Sequence, residues 1–300
     1  MSFTTFMVRR IFKKGDDKRD AGLTTPADIE RWDDICFGTD RKWQMMDVYR
    51  PKGSDHPLPV IVSIHGGGWT YGDKERYQYY CMNLAQRGFA VVNFTYRPAP
   101  EFKFPAGIED TNLVFAWVLK NERNWFDLSR IYAVGDSAGG HMLTIYSAAC
   151  ANSSYASKLG ITVPKKADGS TFLPDAVGLN CGVYEIDLGP KANGMTKGLI
   201  KALLKKKGAP EEIDLLNPLP YIPDRFPRAF IMTAFADPLA GPPAQAGLVK
   251  KLTEIGSEFV DKTYGSQDNP LSHVFHCNIK TEDARICNDD ECNYFLNGHL

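Results

Sequence analysis

The sequence predicts an α/β protein with a mostly parallel central sheet and helices on both faces. Three observations carry that expectation. Apolar, β-branched runs bounded by turn residues alternate with longer segments of helical period. The 300 residues are long enough to bury the core of one large α/β domain. Hydrophobic residues at 43% and charged residues at 24% match a globular chain, which excludes a disordered tail, a collagen-like repeat and a coiled coil.

The elements follow in order. Residues 59–65 (PVIVSIH) suit a short buried strand and 89–96 (FAVVNFTY) a second. Between them, 75–87 reads as a helix closed by Gly88. Pro105 fits the first turn of a helix reaching about Lys120, with Ile108, Leu113, Val114, Trp117 and Val118 along one side. Residues 130–134 (RIYAV) form a third strand, followed at once by GDSAGG and a helix over 138–151. Further strands are expected at 176–183, 228–236 and 258–264, and further helices at 245–255 and 281–295. Residues 34–38 and 44–49 are expected to pair antiparallel at the front of the sheet. Such strand–helix alternation requires a parallel sheet covered on both sides.

One domain over residues 1–300 is expected, with 1–30 as an N-terminal extension and about 189–223 as a small inserted lid. In that insertion Leu199, Ile200, Leu203 and Leu204 make an amphipathic stripe among Lys197, Lys201, Lys205, Lys206 and Lys207. At the N-terminus, Arg9, Arg10, Lys13 and Lys14 stand where a signal peptide needs its apolar run, so a short amphipathic helix with a solvated basic face is expected instead of a cleaved leader, with reversible membrane contact as the alternative. No run of about 18 apolar residues predicts a membrane-spanning helix. With 35 basic and 36 acidic side chains, the net charge of −1 gives no ground for nucleic acid or an anionic membrane as the main partner. Seven cysteines without a C-x-x-C pair suggest neither zinc nor a disulfide framework, and point to a reduced, cytoplasmic setting. An edge strand at 258–264 offers a surface for a homodimer.

Two glycine-rich motifs carry chemistry. Gly135-Asp136-Ser137-Ala138-Gly139 is a G-x-S-x-G pentapeptide between an expected strand and an expected helix, where a sharp turn would expose Ser137 as a nucleophile. His65-Gly66-Gly67-Gly68-Trp69 follows the strand at 59–65, and three glycines let backbone N–H groups approach a ligand closely. No G-K-[ST] follows and no G-x-G-x-x-G is present, so a nucleotide cradle is disfavoured.

A serine nucleophile needs a base, and the base an orienting acid. His65 and His141 lie within the two motifs, His56 precedes the first long strand, and His299 is near the C-terminus. His273 is the favoured base, beyond the last strand where reacting groups gather in open α/β sheets, with His276 in reserve. Asp237, directly after the apolar run FIMTAFA, is the favoured acid, and Asp268 competes with it. Trp69 and Tyr71 are candidate substrate-binding residues, while most of the aromatic stretch at 77–80 is expected to pack a helix onto the sheet.

These residues resemble the α/β-hydrolase superfamily and, within it, the hormone-sensitive-lipase-like bacterial carboxylesterases and acetyl esterases. The resemblance covers about residues 36–276, through HGGGW, YRPAPEFKFPAGIED (96–110), DLSRIYAVGDSAGGH (127–141), ADPL (236–239) and SHVFH (272–276). It implies the α/β-hydrolase fold, a serine carboxylesterase acting through an acyl-enzyme without metal or organic cofactor, and an oxyanion hole of the Gly67, Gly68 and Ala138 N–H groups. His65 would brace the glycine loop, and the YRPAPE stretch would tie it to its neighbours. Only about 30 residues precede the first strand, where the lipase-like branch often carries a longer cap. With so little chain for a deep lipid tunnel, short acyl chains, acetyl to butyryl, are expected. Trp69 also resembles its counterpart in acetyl-esterase and arylformamidase-like relatives. An amidase or arylformamidase on the same triad is therefore one alternative, and a non-catalytic hydrolase-fold binding protein another.

Overall fold

In the computed structural model, residues 3–190 and 192–300 are described. Met1, Ser2 and Lys191, which fall within the expected N-terminal extension and insertion, lie outside the described residues. The strands in chain order are β1 (Ile29–Cys36), β2 (Met45–Pro51), β3 (Leu58–Ile64), β4 (Ala90–Phe94), β5 (Phe126–Asp136), β6 (Ala176–Asn180), β7 (Arg228–Ala234) and β8 (Phe259–Tyr264). They form one sheet in the order β1-β2-β4-β3-β5-β6-β7-β8. β2 runs antiparallel to both β1 and β4, and every other neighbouring pair is parallel.

The mostly apolar strands β3, β4 and β6 are buried along their whole length because both faces of the sheet are covered. Val60, Val62 and Ile64 of β3 point into one core, and Ile61 points into the other, as a period of two demands. The first core is closed by α3 (Ala106–Lys120), α4 (Ala138–Ala151) and α8 (Ala246–Glu254), through residues such as Phe115, Leu143 and Leu248. The second is closed by α2 (Lys74–Ala85) and α9 (Glu282–Asn297), through Tyr77, Tyr80, Cys287 and Phe295. The aromatic stretch at 77–80 thus does pack a helix onto the sheet. All seven cysteines are free, six of them buried.

Several boundaries differ from the sequence expectation. β1 starts at Ile29, ahead of the expected 34–38, because a bulge between Trp32 and Ile35 breaks the alternation and puts Asp34 at φ 57°. β6 stops at Asn180, short of 183, since Cys181 turns into the left-handed region at φ 47°. Two helices were not expected, α5 (Ser153–Lys158) and α7 (Pro210–Leu216); at six and seven residues they are too short to show a period.

α1 (Phe3–Asp20) is the expected N-terminal helix, but its basic face is only partly solvated. Arg9 turns inward: its Nε donates to the Thr70 carbonyl at 2.7 Å, and its guanidinium also holds the Ala99 carbonyl and Glu101. Within the insertion, α6 (Gly194–Leu203) buries Leu199, Ile200 and Leu203 in the first core, and Leu204 follows them, while Lys201 and Lys205–Lys207 stay exposed. Phe104 N–H donates to the Leu203 carbonyl at 3.0 Å, tying α6 to the loop before α3.

Candidate active site

Ser137 stands at the turn between β5 and α4 with φ 51° and ψ −116°, a strained conformation for a residue with a side chain. Its N–H donates to the Asn180 carbonyl at 2.9 Å, which pins the turn to β6. The turn also needs Gly139, where a Cβ would run into the Ile64 carbonyl oxygen. Ala138 opens α4, so its N–H has no carbonyl one turn back and stands at the positive end of the helix dipole.

His273 links Ser137 to Asp237. Its Nε2 lies 3.0 Å from the Ser137 Oγ and its Nδ1 2.7 Å from Asp237 Oδ2. The other carboxylate oxygen of Asp237 accepts the N–H groups of Leu239 at 2.8 Å and Ala240 at 2.9 Å. Burial pushes the Asp237 carboxyl up, but the His273 hydrogen bond and charge, with the two N–H donors, hold it below the ordinary value. Topology explains the meeting: Asp237 follows β7 and His273 follows β8, both at the sheet edge where β5 delivers Ser137. The competing residues sit elsewhere. Asp268 is exposed in a turn with Ser266. His276 is buried edge-on against Tyr80, and burial together with the His273 and Arg19 charges pushes it down to about 3.

The glycine loop is braced from three sides. His65 is buried, stacks on Tyr96 with centroids 4.0 Å apart, and donates from Nδ1 to the Gly66 carbonyl at 2.8 Å. Burial pushes it down to about 4, so it is neutral. Gly66 N–H is shared between the Tyr77 hydroxyl and Asp136 Oδ1, each at 3.0 Å, and Tyr77 donates to Asp136 Oδ2 at 2.8 Å. Ala99, in the YRPAPE stretch, donates to the Trp69 carbonyl at 2.9 Å. Gly67 adopts φ +105°, and a Cβ there would meet the Tyr71 carbonyl, so only glycine fits. Gly68 lies beneath Leu199 of α6.

Ser137, His273 and Gly67 line a cavity of about 570 Å³. Tyr71 lines it too, its hydroxyl donating to Asp16 at 2.8 Å. Trp69 does not. It is buried with its Nε1 donating to His141 Nδ1 at 3.2 Å, and lines a separate space of about 10 Å³ beneath the loop. The indole N–H needs a buried acceptor, and neutral His141, which itself donates to the Leu216 carbonyl at 2.7 Å, supplies one. The expectation that Trp69 lines the substrate cavity is therefore corrected.

Three contributors escaped sequence reasoning. α1 forms one wall of the cavity through Ile11, Phe12, Asp16 and Arg19, a placement that no local pattern encodes. Asp136 was visible only as a letter inside GDSAGG. Cys181 Sγ, an Asp237 oxygen and a His273 ring nitrogen lie within 4.8 Å of one another, a donor set of metal-binding type. Any ion there would compete for the atoms that already join Asp237 to His273.

The curated relatives align over about a third to a half of this chain, and the chain spans only about a third of their length. Ethyl acetate hydrolase of Pseudomonas putida is 35% identical over 102 residues, 33% of this chain and 32% of that protein. Carboxylesterase NlhH of Mycobacterium tuberculosis is 40% identical over 100 residues, 33% and 31%. Among solved structures, esterase B from Lactobacillus rhamnosis (HN001) superposes with a TM-score of 0.85 at 23% identity, covering 98% of this chain and 94% of that one. The thermostable carboxylesterase EstE1, cloned from a metagenomic library, gives 0.75 at 24% identity over the full length of both. These likenesses establish the α/β-hydrolase fold. The model of the family described as BD-FAE matches residues 46–252, more than two thirds of the chain, from the second strand through most of α8. By fold and by that match, the chain belongs to the BD-FAE family of α/β hydrolases.

Proposed function

We propose that the protein is a serine carboxylesterase that hydrolyses short-chain acyl esters, acetyl to butyryl, through an acyl-enzyme. The observation that carries this reading is the unbroken hydrogen-bonded chain from Ser137 through His273 to Asp237. Ser137 Oγ attacks the ester carbonyl as His273 Nε2 takes its proton. Asp237, held below the ordinary carboxyl range, fixes the Nδ1–H tautomer and stabilises the imidazolium that forms. The tetrahedral oxyanion is met by the Gly67, Gly68 and Ala138 N–H groups, each such donor contributing ~3 kcal/mol to the transition state. His273 returns the proton to the leaving alcohol, and water, deprotonated by the same ring, releases the acid.

The preference for short acyl groups draws support from the relatives. One acts on ethyl acetate by name, and one neighbour of the fold, at 22% identity, was captured with a tributyrin phosphonate. The test is a series of p-nitrophenyl esters from acetate to palmitate, with wild type beside Ser137→Ala. A rate that peaks at acetate or butyrate and falls at least ~10⁴-fold in the variant is expected. Near-normal turnover by Ser137→Ala would refute the assignment, and serine-dependent turnover of N-formyl anilides but no ester would make the enzyme an amidase.

A further inference from the structure

α1 carries more on its outer side than a cavity wall requires. Phe3, Phe6, Arg10 and Lys14 follow at spacings of three and four, so they share one face of the helix. All four are exposed, Phe3 at 79% and Phe6 at 50%. Lys13 and Lys18 flank the stripe; Lys13 pairs with Asp17, whereas Arg10, Lys14 and Lys18 join no ion pair among the described residues. The opposite side, with Thr5 and Val8 buried, packs onto the molecule. A chain of net charge −1 has thus gathered a local excess of cations around two exposed aromatic rings. α6 extends the excess: Thr4 lies against Gly198, and Lys201, three residues beyond it, is exposed.

We propose that this face of α1 docks reversibly on an anionic lipid surface. Phe3 and Phe6 enter the boundary between headgroups and acyl chains, and Arg10, Lys14 and Lys18 meet the anionic headgroups. The pairing of apolar rings with long cations on one helical face is what such an interface selects, and among the described residues no helix is long and apolar enough to cross a membrane. A second copy is a poor occupant, because a two-fold contact over this stripe would gather the unpaired cations of both copies into one interface. The stripe also runs to the mouth of the cavity. Ile11, three residues before Lys14, is 58% exposed and lines the cavity, as does the exposed Leu239. If the esterase reading holds, docking brings that mouth to the surface where amphiphilic esters reside.

The experiment is co-sedimentation of the full chain with vesicles of phosphatidylcholine alone or mixed with phosphatidylglycerol. The protein is expected to sediment with the mixed vesicles only and to be released as salt rises. Phe3→Ser/Phe6→Ser and, separately, Arg10→Glu/Lys14→Glu are each expected to weaken binding about tenfold or more. Both double variants alter exposed side chains and are expected to keep the wild-type melting temperature and the wild-type rate on p-nitrophenyl acetate without vesicles. Absence of binding at low salt, equal binding to both vesicle types, unaltered binding in both double variants, or a Phe6-dependent dimer by light scattering would each overturn the proposal. Because sedimentation needs no turnover, failure of the esterase reading and failure of docking are read separately.

Discussion

The Asp136 carboxylate accepts the Gly66 N–H at 3.0 Å, although 70 residues separate them in the chain. Tyr77 closes the triangle, donating to one Asp136 oxygen and accepting from the same Gly66 N–H. The residue before Ser137 is therefore tied to the residue before Gly67 and Gly68, and these hydrogen bonds join the two loops of the candidate site. Burial pushes the Asp136 carboxyl up to about 6, against the Tyr77 hydrogen bond and the charges of His273 and Arg19.

Asp136→Ala should accordingly lower kcat for a soluble ester about tenfold to a hundredfold, less than outright loss of an oxyanion donor, with KM little changed. Steady-state kinetics beside a melting curve check this, since a purely structural role would move the melting temperature and leave kcat of the folded enzyme alone.

The acid is identified by comparing two substitutions of the same type. Asp237→Asn should cost about 10⁴-fold in kcat, because the amide favours the wrong histidine tautomer. Asp268→Asn, at an exposed turn, should leave kcat at the wild-type level. The opposite ranking would move the acid to Asp268.

Glu291, fully buried beneath the sheet, gives a pH-dependent stability. Burial raises its carboxyl from 4.5 to about 7, only partly offset by hydrogen bonds from Asn180 at 2.9 Å and Tyr80 at 3.3 Å. The folded state binds this proton more tightly than the unfolded chain. The stabilisation is therefore complete below pH 4.5 and is lost as pH rises through about 7. The loss amounts to roughly 3 kcal/mol. Glu291→Gln cannot ionise, so its unfolding free energy relative to wild type should improve by that order between pH 5 and pH 8 in urea titrations. A difference that stays flat with pH would show that Glu291 is not the group responsible.

Arg9 joins α1 to the glycine loop through two backbone carbonyls and Glu101. Arg9→Ala should destabilise the protein by about 1–3 kcal/mol, mostly from the charged hydrogen bonds to the carbonyls, because the half-exposed ion pair adds little. Arg9→Lys should recover only part of this, a point charge being unable to fork between the carbonyls and the carboxylate. Denaturant midpoints measure both.

The parallel core of the sheet was legible because β3, β4 and the middle of β5 are short, mostly apolar and separated by helices long enough to show their period. The meeting of Ser137, Asp237 and His273 was legible for a topological reason: each follows a strand, and successive parallel strands end on one edge. Trp69 was misread because its neighbours Gly67 and Tyr71 do line the cavity, while the indole N–H obeys the demand of a buried donor and turns to His141. α1 as a cavity wall was invisible, since its partners at Ser272, Val274 and Phe275 come from the other end of the chain. Arg9 shows the same limit: a basic residue in a polar-looking helix gives no local sign that its acceptors are carbonyls 61 and 90 positions away.

That long-range seating of α1 has a consequence for biosynthesis. The helix leaves the ribosome ahead of every element it covers, yet its cavity-facing neighbours around Phe275 and Asn278 follow about 250 residues later in the chain. Its seat is assembled in stages: Thr70, Tyr71 and Ala99 come first, Gly198 of α6 later, and the cavity wall around Phe275 after them. A chain stopped before Ser272 would lose His273 and, with it, the cavity wall that faces its own first helix.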